Sequence, residues 1–173
     1  MKKILILAGP EFEDIELLYP YYRLLEEGFE VDIVSHPDYG SLLTGKHGYT
    51  ARVTKNPSEV DVKEYAALVL PGGRGPERIR VYKDIVDIVL GFALEDKLIA
   101  AICHGPQLLI SASLREPKIL RGRKVTSVPS IRDDLVAAGA IWVDAPVVVD
   151  DNLVTSRIPK DIPDWMREVI KRI

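Results

Sequence analysis

Short runs of apolar residues alternate with amphipathic segments along most of the chain. The runs predict four buried strands, over residues 3–8, 29–35, 66–70 and 99–102. The segments predict helices with one apolar face, over residues 14–27, 83–95 and 162–173. Strands that alternate with helices in this way indicate an α/β fold, with a mostly parallel sheet and helices on both faces. No linker or repeat divides the chain, so we expect one domain over residues 1–173.

The rest of the chain carries weaker signals. Residues 36–54 contain several glycines among β-type residues and predict a loop with a short hairpin. Residues 130–133 resemble a capping box that opens a helix ending at Gly139. Pro20 predicts a bend or an early second turn in the first helix. Further strands are predicted over residues 125–127, 140–150 and 153–155, the last two joined by a tight turn.

The fourth apolar run ends at Cys103, the only cysteine of the chain. Gly105 and Pro106 stop the strand, and Pro106 suits the first turn of a helix, so Cys103 is predicted on a strand-to-helix corner. This corner would lift the thiol out of the sheet in a strained conformation, as in nucleophile-elbow hydrolases, with helix N–H groups favouring the thiolate. A lone cysteine is more often a small buried apolar residue. The adjacent His104 and the Gly-Pro pair favour the reactive interpretation.

Three strand ends are expected to meet at one edge of the sheet, where doubly wound folds bind ligands. The first brings Glu11, Glu13 and Asp14. These carboxyls lie where the first helix begins, so at least one of them is expected to cap that helix. A carboxyl that faces the cleft can instead hydrogen-bond the thiol, and the spacing alone favours none of the three.

The other two strand ends add backbone donors and an imidazole. Gly72 and Gly73 can form an oxyanion hole with the N–H that follows Cys103, although an ordinary glycine turn explains the pair equally well. His104 needs a third group that orients its imidazole. Glu77 is a candidate for that role, and a surface salt bridge to a neighbouring arginine explains Glu77 equally well.

Composition narrows the function further. The 173 residues are 47% hydrophobic and 28% charged, which is ordinary for a soluble globular protein, and no apolar run is long enough for a membrane span. A formal net charge of −3 gives no reason to expect nucleic acid or a membrane as a partner. A single cysteine is consistent with a reducing, cytoplasmic setting. His36 and His47 are expected in solvent-facing loops, and no metal-ligand spacing or nucleotide motif is present, so neither metal nor cofactor is expected.

Five ordered motifs closely resemble the ThiJ/PfpI superfamily, and most of all its archaeal PfpI-type intracellular proteases; they are residues 11–14, 44–49, 70–74, 76–78 and 102–107. The resemblance covers nearly the whole chain and implies a flavodoxin-like sandwich with Cys103 as nucleophile and His104 beside it. It assigns the carboxyl that hydrogen-bonds the thiol to Glu13. In PfpI-type members a glutamate of a neighbouring subunit completes a Cys–His–Glu set, and Glu77 holds that position. The resemblance therefore implies a homodimer, or a hexamer built as a trimer of dimers.

The chain departs from that family pattern in two places. Residues 115–118, Arg-Glu-Pro-Lys, are an insertion after the elbow helix. Val128 stands before Pro129, where the family commonly has an aromatic residue. If that aromatic residue contacts substrate, the pocket of this chain is less polar than that of its relatives.

These features predict a cysteine enzyme that acts on carbonyl groups. Cys103 would attack the carbonyl carbon, Glu13 or His104 would move protons, and the paired glycines would hold the oxyanion. The resemblance implies either peptidase activity on short peptides or glyoxalase III/deglycase activity on small α-oxoaldehydes such as methylglyoxal. The alternative is a redox-sensing or chaperone-like stress-response protein with an oxidisable Cys103. The presence of His104 and Glu77 favours catalysis, because a sensor needs only an activated thiol.

Overall fold

The computed structural model describes residues 1–173, which form ten strands and six helices. The strands are β1 (Lys3–Leu7), β2 (Glu30–Val34), β3 (Leu42–Thr44), β4 (Thr50–Arg52), β5 (Tyr65–Leu70), β6 (Leu98–Ile102), β7 (Lys124–Val125), β8 (Ile141–Trp142), β9 (Val147–Asp150) and β10 (Leu153–Ser156). The helices are α1 (Asp14–Glu26), α2 (Gly75–Ile79), α3 (Lys83–Leu94), α4 (Gln107–Ser113), α5 (Arg132–Ala137) and α6 (Ile162–Arg172).

Six of the strands form the central sheet, in the order β2-β1-β5-β6-β10-β9. Every neighbouring pair is parallel except β9 and β10, which form an antiparallel hairpin at one edge. The predicted mostly parallel α/β sheet is confirmed. Because β1, β5 and β6 are adjacent and parallel, their carboxyl ends lie side by side at one edge of the sheet.

Helices cover both faces of this sheet, and alternate strand residues point to each side. On one face, Leu5 and Leu68 pack with apolar residues of α3 and α4. On the other face, Ile4 and Val69 pack with α1 and α6, where Trp165 is fully buried. Full burial of such side chains contributes about 1.5–3 kcal/mol each, so these two layers hold the sheet rigid beneath its carboxyl edge.

The predicted element boundaries hold to within one or two residues over most of the chain, and the expected short hairpin is β3–β4. α1 is continuous through the buried Pro20. The prediction of one strand over residues 140–150 is wrong. β8 pairs with β7, whereas β9 pairs with β10 in the central sheet, so the chain must leave one sheet and join the other between them.

The insertion at residues 115–118 lies away from the cysteine. It leads into a 3₁₀ turn, Pro117–Ile119, whose Ile119 is buried beside the far end of α4. Ile119 lines a cavity together with Ile99, which is near the start of β6, whereas Cys103 follows the end of that strand. The insertion therefore sits at the opposite edge of the sheet. No helix has the length and apolar character needed to cross a bilayer.

Candidate active site

Cys103 occupies the corner between β6 and α4 in a left-handed backbone conformation, with φ of +60°. The strained geometry predicted for this residue is confirmed. The Cys103 N–H donates to the Ser156 carbonyl at 3.1 Å, and its own carbonyl accepts from the Val128 N–H at 3.1 Å. A Cβ on Gly105 would lie 2.1 Å from the Leu70 carbonyl oxygen, so only glycine fits that turn. The Cys103 residue is 8% exposed, which leaves a narrow approach to its sulfur.

The carboxyl beside this thiol belongs to Glu16, and the assignment of that contact to Glu13 is wrong. Glu16 lies in the first turn of α1 and is fully buried, and its Oε1 accepts from the Gly72 N–H at 3.0 Å. A Cβ on Gly72 would lie 2.6 Å from that oxygen and 2.9 Å from the Cβ of Cys103. The two side chains therefore lie next to each other over Gly72.

Glu13 instead caps α1, which confirms that one of the three candidate carboxyls has this role. Its Oε2 accepts from the Glu16 N–H at 3.1 Å, and its Oε1 lies 3.5 Å from Nε2 of His47. Asp14 has a structural role as well, because its carboxylate accepts from the N–H groups of His47 and Tyr49 at 3.0 and 2.9 Å. Glu13 therefore caps the first turn of α1, and Asp14 connects α1 to the β3–β4 loop. Neither residue contacts the thiol.

The surroundings of Glu16 keep its carboxyl protonated. Burial, followed by the nearby charge of Glu13, raises the pKa of Glu16 to about 8. Its second oxygen, Oε2, is buried without a hydrogen-bond partner, which is costly for an anion and acceptable for a protonated acid.

Burial also raises the pKa of the Cys103 thiol, to about 12, and the charge of Glu16 adds to this rise. The expectation that a helix N-terminus favours the thiolate is therefore wrong for this chain. α4 begins only at Gln107, and the lowering effects of the His104 N–H and of the Lys46 charge are smaller than that of burial. A base must consequently remove the thiol proton.

His104 is placed to be that base. Its Nδ1 lies 3.5 Å from the Cys103 sulfur, and its Nε2 lies 3.4 Å from Oγ of Ser130. Burial, followed by the Lys46 charge, lowers the pKa of His104, so the imidazole is neutral at pH 7. Sequence reasoning missed Ser130, because it interpreted residues 130–133 as a capping box. In the structure α5 begins at Arg132, and no side chain caps it.

The two glycines after β5 do not act alike. The Gly72 N–H already donates to Glu16, so it is not free for a substrate oxygen. The Gly73 N–H has no hydrogen-bond partner within the chain, and Gly73 adopts φ of +77°. Of the expected oxyanion donors, Gly73 and the N–H of His104 next to the sulfur are therefore the available pair.

Glu77 lies exposed on α2 and contacts neither His104 nor an arginine of its own chain. The predicted surface salt bridge is absent, because Arg74 and Arg78 pair with Glu11 instead. The charge of Glu77 reaches His104 only at long range, where it acts to raise the imidazole pKa. The carboxylate of Glu77 is thus unpaired and directed to solvent.

The other two histidines lie outside this site. His47 is largely exposed, as expected. The prediction that His36 faces solvent is wrong. Its ring stacks on Tyr82, with centroids 3.5 Å apart, and is 17% exposed. Aromatic neighbours far along the chain bury it, and a local sequence pattern cannot reveal them.

Comparison with known proteins extends over nearly the whole chain. The profile of the family described as DJ-1/PfpI matches residues 2–172. A deglycase from Pyrococcus horikoshii is 53% identical over 169 residues, which are 98% of each chain. A Bacillus subtilis protein that is provisionally named a cysteine protease is 40% identical, over 96% of this chain and 95% of its own.

A solved structure shows the same fold. It is a two-domain protein from Anabaena variabilis with a DJ-1/ThiJ/PfpI-like and a ferritin-like domain. It superposes with a TM-score of 0.93 at 34% identity and covers 99% of this chain, whereas this chain spans 48% of that protein.

Proposed function

Because the chain belongs to the DJ-1/PfpI family, we propose that it is a cysteine-dependent deglycase acting on small α-oxoaldehydes such as methylglyoxal or on their adducts. Cys103 is the nucleophile of this proposal, His104 the base and Glu16 the acid. A reducing intracellular setting would keep Cys103 as a thiol. The proposal takes its substrate class from the Pyrococcus relative's name and its mechanism from the geometry above.

The observation that carries this proposal is the fully buried carboxyl of Glu16 beside the thiol, with one oxygen that has no hydrogen-bond partner. Addition of sulfur to an aldehyde turns the carbonyl oxygen into an oxyanion, which needs a proton or hydrogen-bond donors at once. Glu16 can supply that proton, since the pKa of its carboxyl is about 8. The available N–H groups of Gly73 and His104 can stabilise the oxyanion before the proton arrives.

The first chemical step then balances within the chain. His104 Nδ1 takes the proton of the Cys103 thiol while the sulfur forms a bond to the aldehyde carbon. The carbonyl π bond breaks, and the proton of Glu16 goes to the oxygen, which leaves a thiohemiacetal. The Glu16 carboxylate then takes the proton of the former aldehyde carbon while the His104 imidazolium protonates the neighbouring carbonyl oxygen, which gives an enediol. Return of the proton from Glu16 to the second carbon, with loss of the first hydroxyl proton to His104, gives a thioester. Its hydrolysis returns the thiol and a 2-hydroxy acid.

Peptide hydrolysis is the second candidate, supported by the name of the Bacillus relative. It needs more from the site, because an amide nitrogen must be protonated as it leaves and a peptide chain must reach the sulfur. Cys103 is only 8% exposed, which favours a small carbonyl compound. A redox sensor is less well supported, since oxidation favours exposed thiols of low pKa and burial raises the pKa of Cys103.

We propose that Glu77 belongs to a site shared between subunits. Its carboxylate is exposed and unpaired in the single chain, whereas its neighbour Arg78 is already paired with Glu11. In a homo-oligomer, Glu77 of one subunit would face His104 of another and balance the imidazolium that forms during the reaction. A dimer, or a hexamer of three dimers, would then be needed for full activity.

Turnover of methylglyoxal and of short fluorogenic peptides by the purified protein tests the main proposal. We expect conversion of methylglyoxal to a 2-hydroxy acid, and loss of at least about a thousandfold in kcat/KM for Cys103→Ser, because the soft nucleophile is removed at little volume cost. Circular dichroism should show an unchanged fold. Turnover that persists in Cys103→Ser, or cleavage of peptides alone, would contradict the assignment.

Co-expression of two inactive variants tests the shared site. Cys103→Ser and Glu77→Ala should each be weak alone, and a mixed dimer should regain part of the activity, because one of its sites holds both intact residues. Cys103→Ser co-expressed with Cys103→Ala is the matched control and should regain none. Full activity of Glu77→Ala alone would place Glu77 outside the mechanism, and a mixture no more active than Glu77→Ala alone would contradict a site shared between subunits.

A further inference from the structure

Ser130 gives the imidazole of His104 a partner within the same chain. Its Oγ lies 3.4 Å from Nε2 of His104, at the opposite side of the ring from the Cys103 sulfur. We propose that Ser130 is a positioning residue that orients the ring of His104, with Nδ1 directed at the thiol, and that stabilises the imidazolium through Nε2–H. This inference deepens the proposed function, because it explains how the base is prepared.

The hydrogen bonds of the ring follow from what each neighbour can do. To take a proton from the thiol, Nδ1 must be unprotonated, so the proton of the neutral imidazole must be on Nε2. A serine hydroxyl can donate or accept, so Ser130 orients the ring without itself choosing the tautomer. Once the imidazolium forms, the Ser130 oxygen accepts from Nε2–H and stabilises the charged ring. The Ser130 Oγ is the only hydrogen-bond partner of Nε2 within the chain.

The segment that carries Ser130 is fixed to the elbow itself. The Val128 N–H donates to the Cys103 carbonyl at 3.1 Å, so this segment and the reactive corner are bonded directly. Pro129 restricts the backbone, and the next residue but one, Ile131, is 4% exposed and anchored in the core. The hydroxyl is therefore presented by a rigid element, even though Ser130 itself is exposed.

Ser130 and Glu77 make different demands on assembly. Glu77 does not contact His104 within the chain, so its contribution depends on a partner subunit. The Ser130 contact is complete in one chain. Ser130 therefore orients the ring whatever the oligomeric state, whereas Glu77 would add charge only after assembly.

Histidine NMR on the full-length protein tests this assignment directly, because the chain has only three histidines. In protein with ¹⁵N-labelled histidine, His104 is identified by the signal lost in His104→Asn. We expect the pKa of His104, followed through its ring ¹⁵N shifts, to be lower in Ser130→Ala than in wild type, because the imidazolium loses a hydrogen-bond acceptor, and to be restored in Ser130→Thr, which keeps the hydroxyl. Ser41→Ala, a change at an exposed serine whose hydroxyl is unbonded, should match wild type. An unchanged pKa of His104 in Ser130→Ala would overturn the proposal.

Alkylation of Cys103 by iodoacetamide provides the second measurement. Loss of one neutral hydrogen bond predicts a rate about three- to tenfold lower in Ser130→Ala near pH 7, with rescue in Ser130→Thr. Neither measurement needs turnover, so a wild-type protein inactive on methylglyoxal would refute the proposed function and leave the Ser130 test intact. An alkylation rate in Ser130→Ala equal to that of wild type would count against Ser130.

Discussion

The corner after β1 and the corner after β6 each contain a residue in the left-handed backbone conformation, but one corner lies at the surface and the other is buried. Glu11 and Cys103 both follow buried parallel strands, and their φ values are +58° and +60°. Glu11 is half-buried at the surface, and its hydrogen bond with Arg78 lowers the pKa of its carboxyl. Cys103 is buried beside an acid, and burial raises the pKa of its thiol.

The difference shows what backbone strain can and cannot do. A left-handed residue directs its side chain out of the sheet, and the cost of this conformation is similar at both corners. At the first corner the side chain meets arginines and water, so it ends in an ordinary ion pair. At the second it meets Glu16 and His104, so proton transfer becomes possible. Strain sets the direction of a side chain, and its neighbours determine the chemistry.

The largest effect is expected when the acid, Glu16, is removed from the second corner. Glu16→Gln should lower kcat/KM at least about 100-fold, because an amide cannot donate an acidic proton to the oxyanion. Glu13→Gln, three residues earlier, is the matched control. It should cost much less in kcat/KM than Glu16→Gln, because the side-chain amide oxygen still caps the helix and burial, the larger cause, still raises the pKa of Glu16. Equal losses in the two variants would mean that Glu16 is not the acid.

The pH dependence of the free energy of unfolding should report the titration of Glu16 at the second corner. The pKa of Glu16 is about 8 in the folded chain and near 4.5 when unfolded. Between these values the unfolded chain has released a proton that the native state retains, so the free energy of unfolding falls as pH rises. Glu16→Gln lacks this titration.

Urea unfolding of both proteins from pH 4.5 to 8 measures the effect. The variant should gain stability over wild type with rising pH, by an amount on the order of a few kcal/mol across the window. A difference that stays constant over that range would show that Glu16 titrates normally in the folded protein.

The smallest effect is expected at the first corner. Glu11→Gly relieves the left-handed conformation and removes an exposed ion pair, and these two changes oppose each other. Thermal unfolding should therefore shift by only a few degrees, and methylglyoxal turnover should stay within twofold of wild type. A large loss of turnover would show that Glu11 has a role at the cleft that its contacts do not reveal.

Sequence reasoning recovered the elements and the position of Cys103 after a strand because both depend on local signals. Apolar runs define the strands, and the Gly-Pro pair after His104 ends the last of them. The local spacing favoured none of Glu11, Glu13 and Asp14 as the carboxyl beside the thiol, and the family resemblance assigned that place to Glu13. Glu16 lies on the same buried stripe of α1 as Leu17, Pro20 and Leu24, and a carboxyl on an apolar stripe was the available signal.

The remaining site features could not be predicted from local pattern. The Ser130 contact joins segments 26 residues apart, and Lys46 acts on the site from the β3–β4 loop. Only the packed fold brings these groups together. The place of Glu77 depends on a second subunit and remains a prediction.

The glycine at the end of β5 has a consequence for protein engineering. At Gly72, a single methyl group would collide with Glu16, with Cys103 and with the backbone nitrogen of His104. Transplanting this reactive corner into another doubly wound protein therefore requires more than a cysteine at the end of one strand. The adjacent strand of the recipient must also end in glycine, or the acid and the sulfur will be forced apart. The transferable unit spans two strands and a helix.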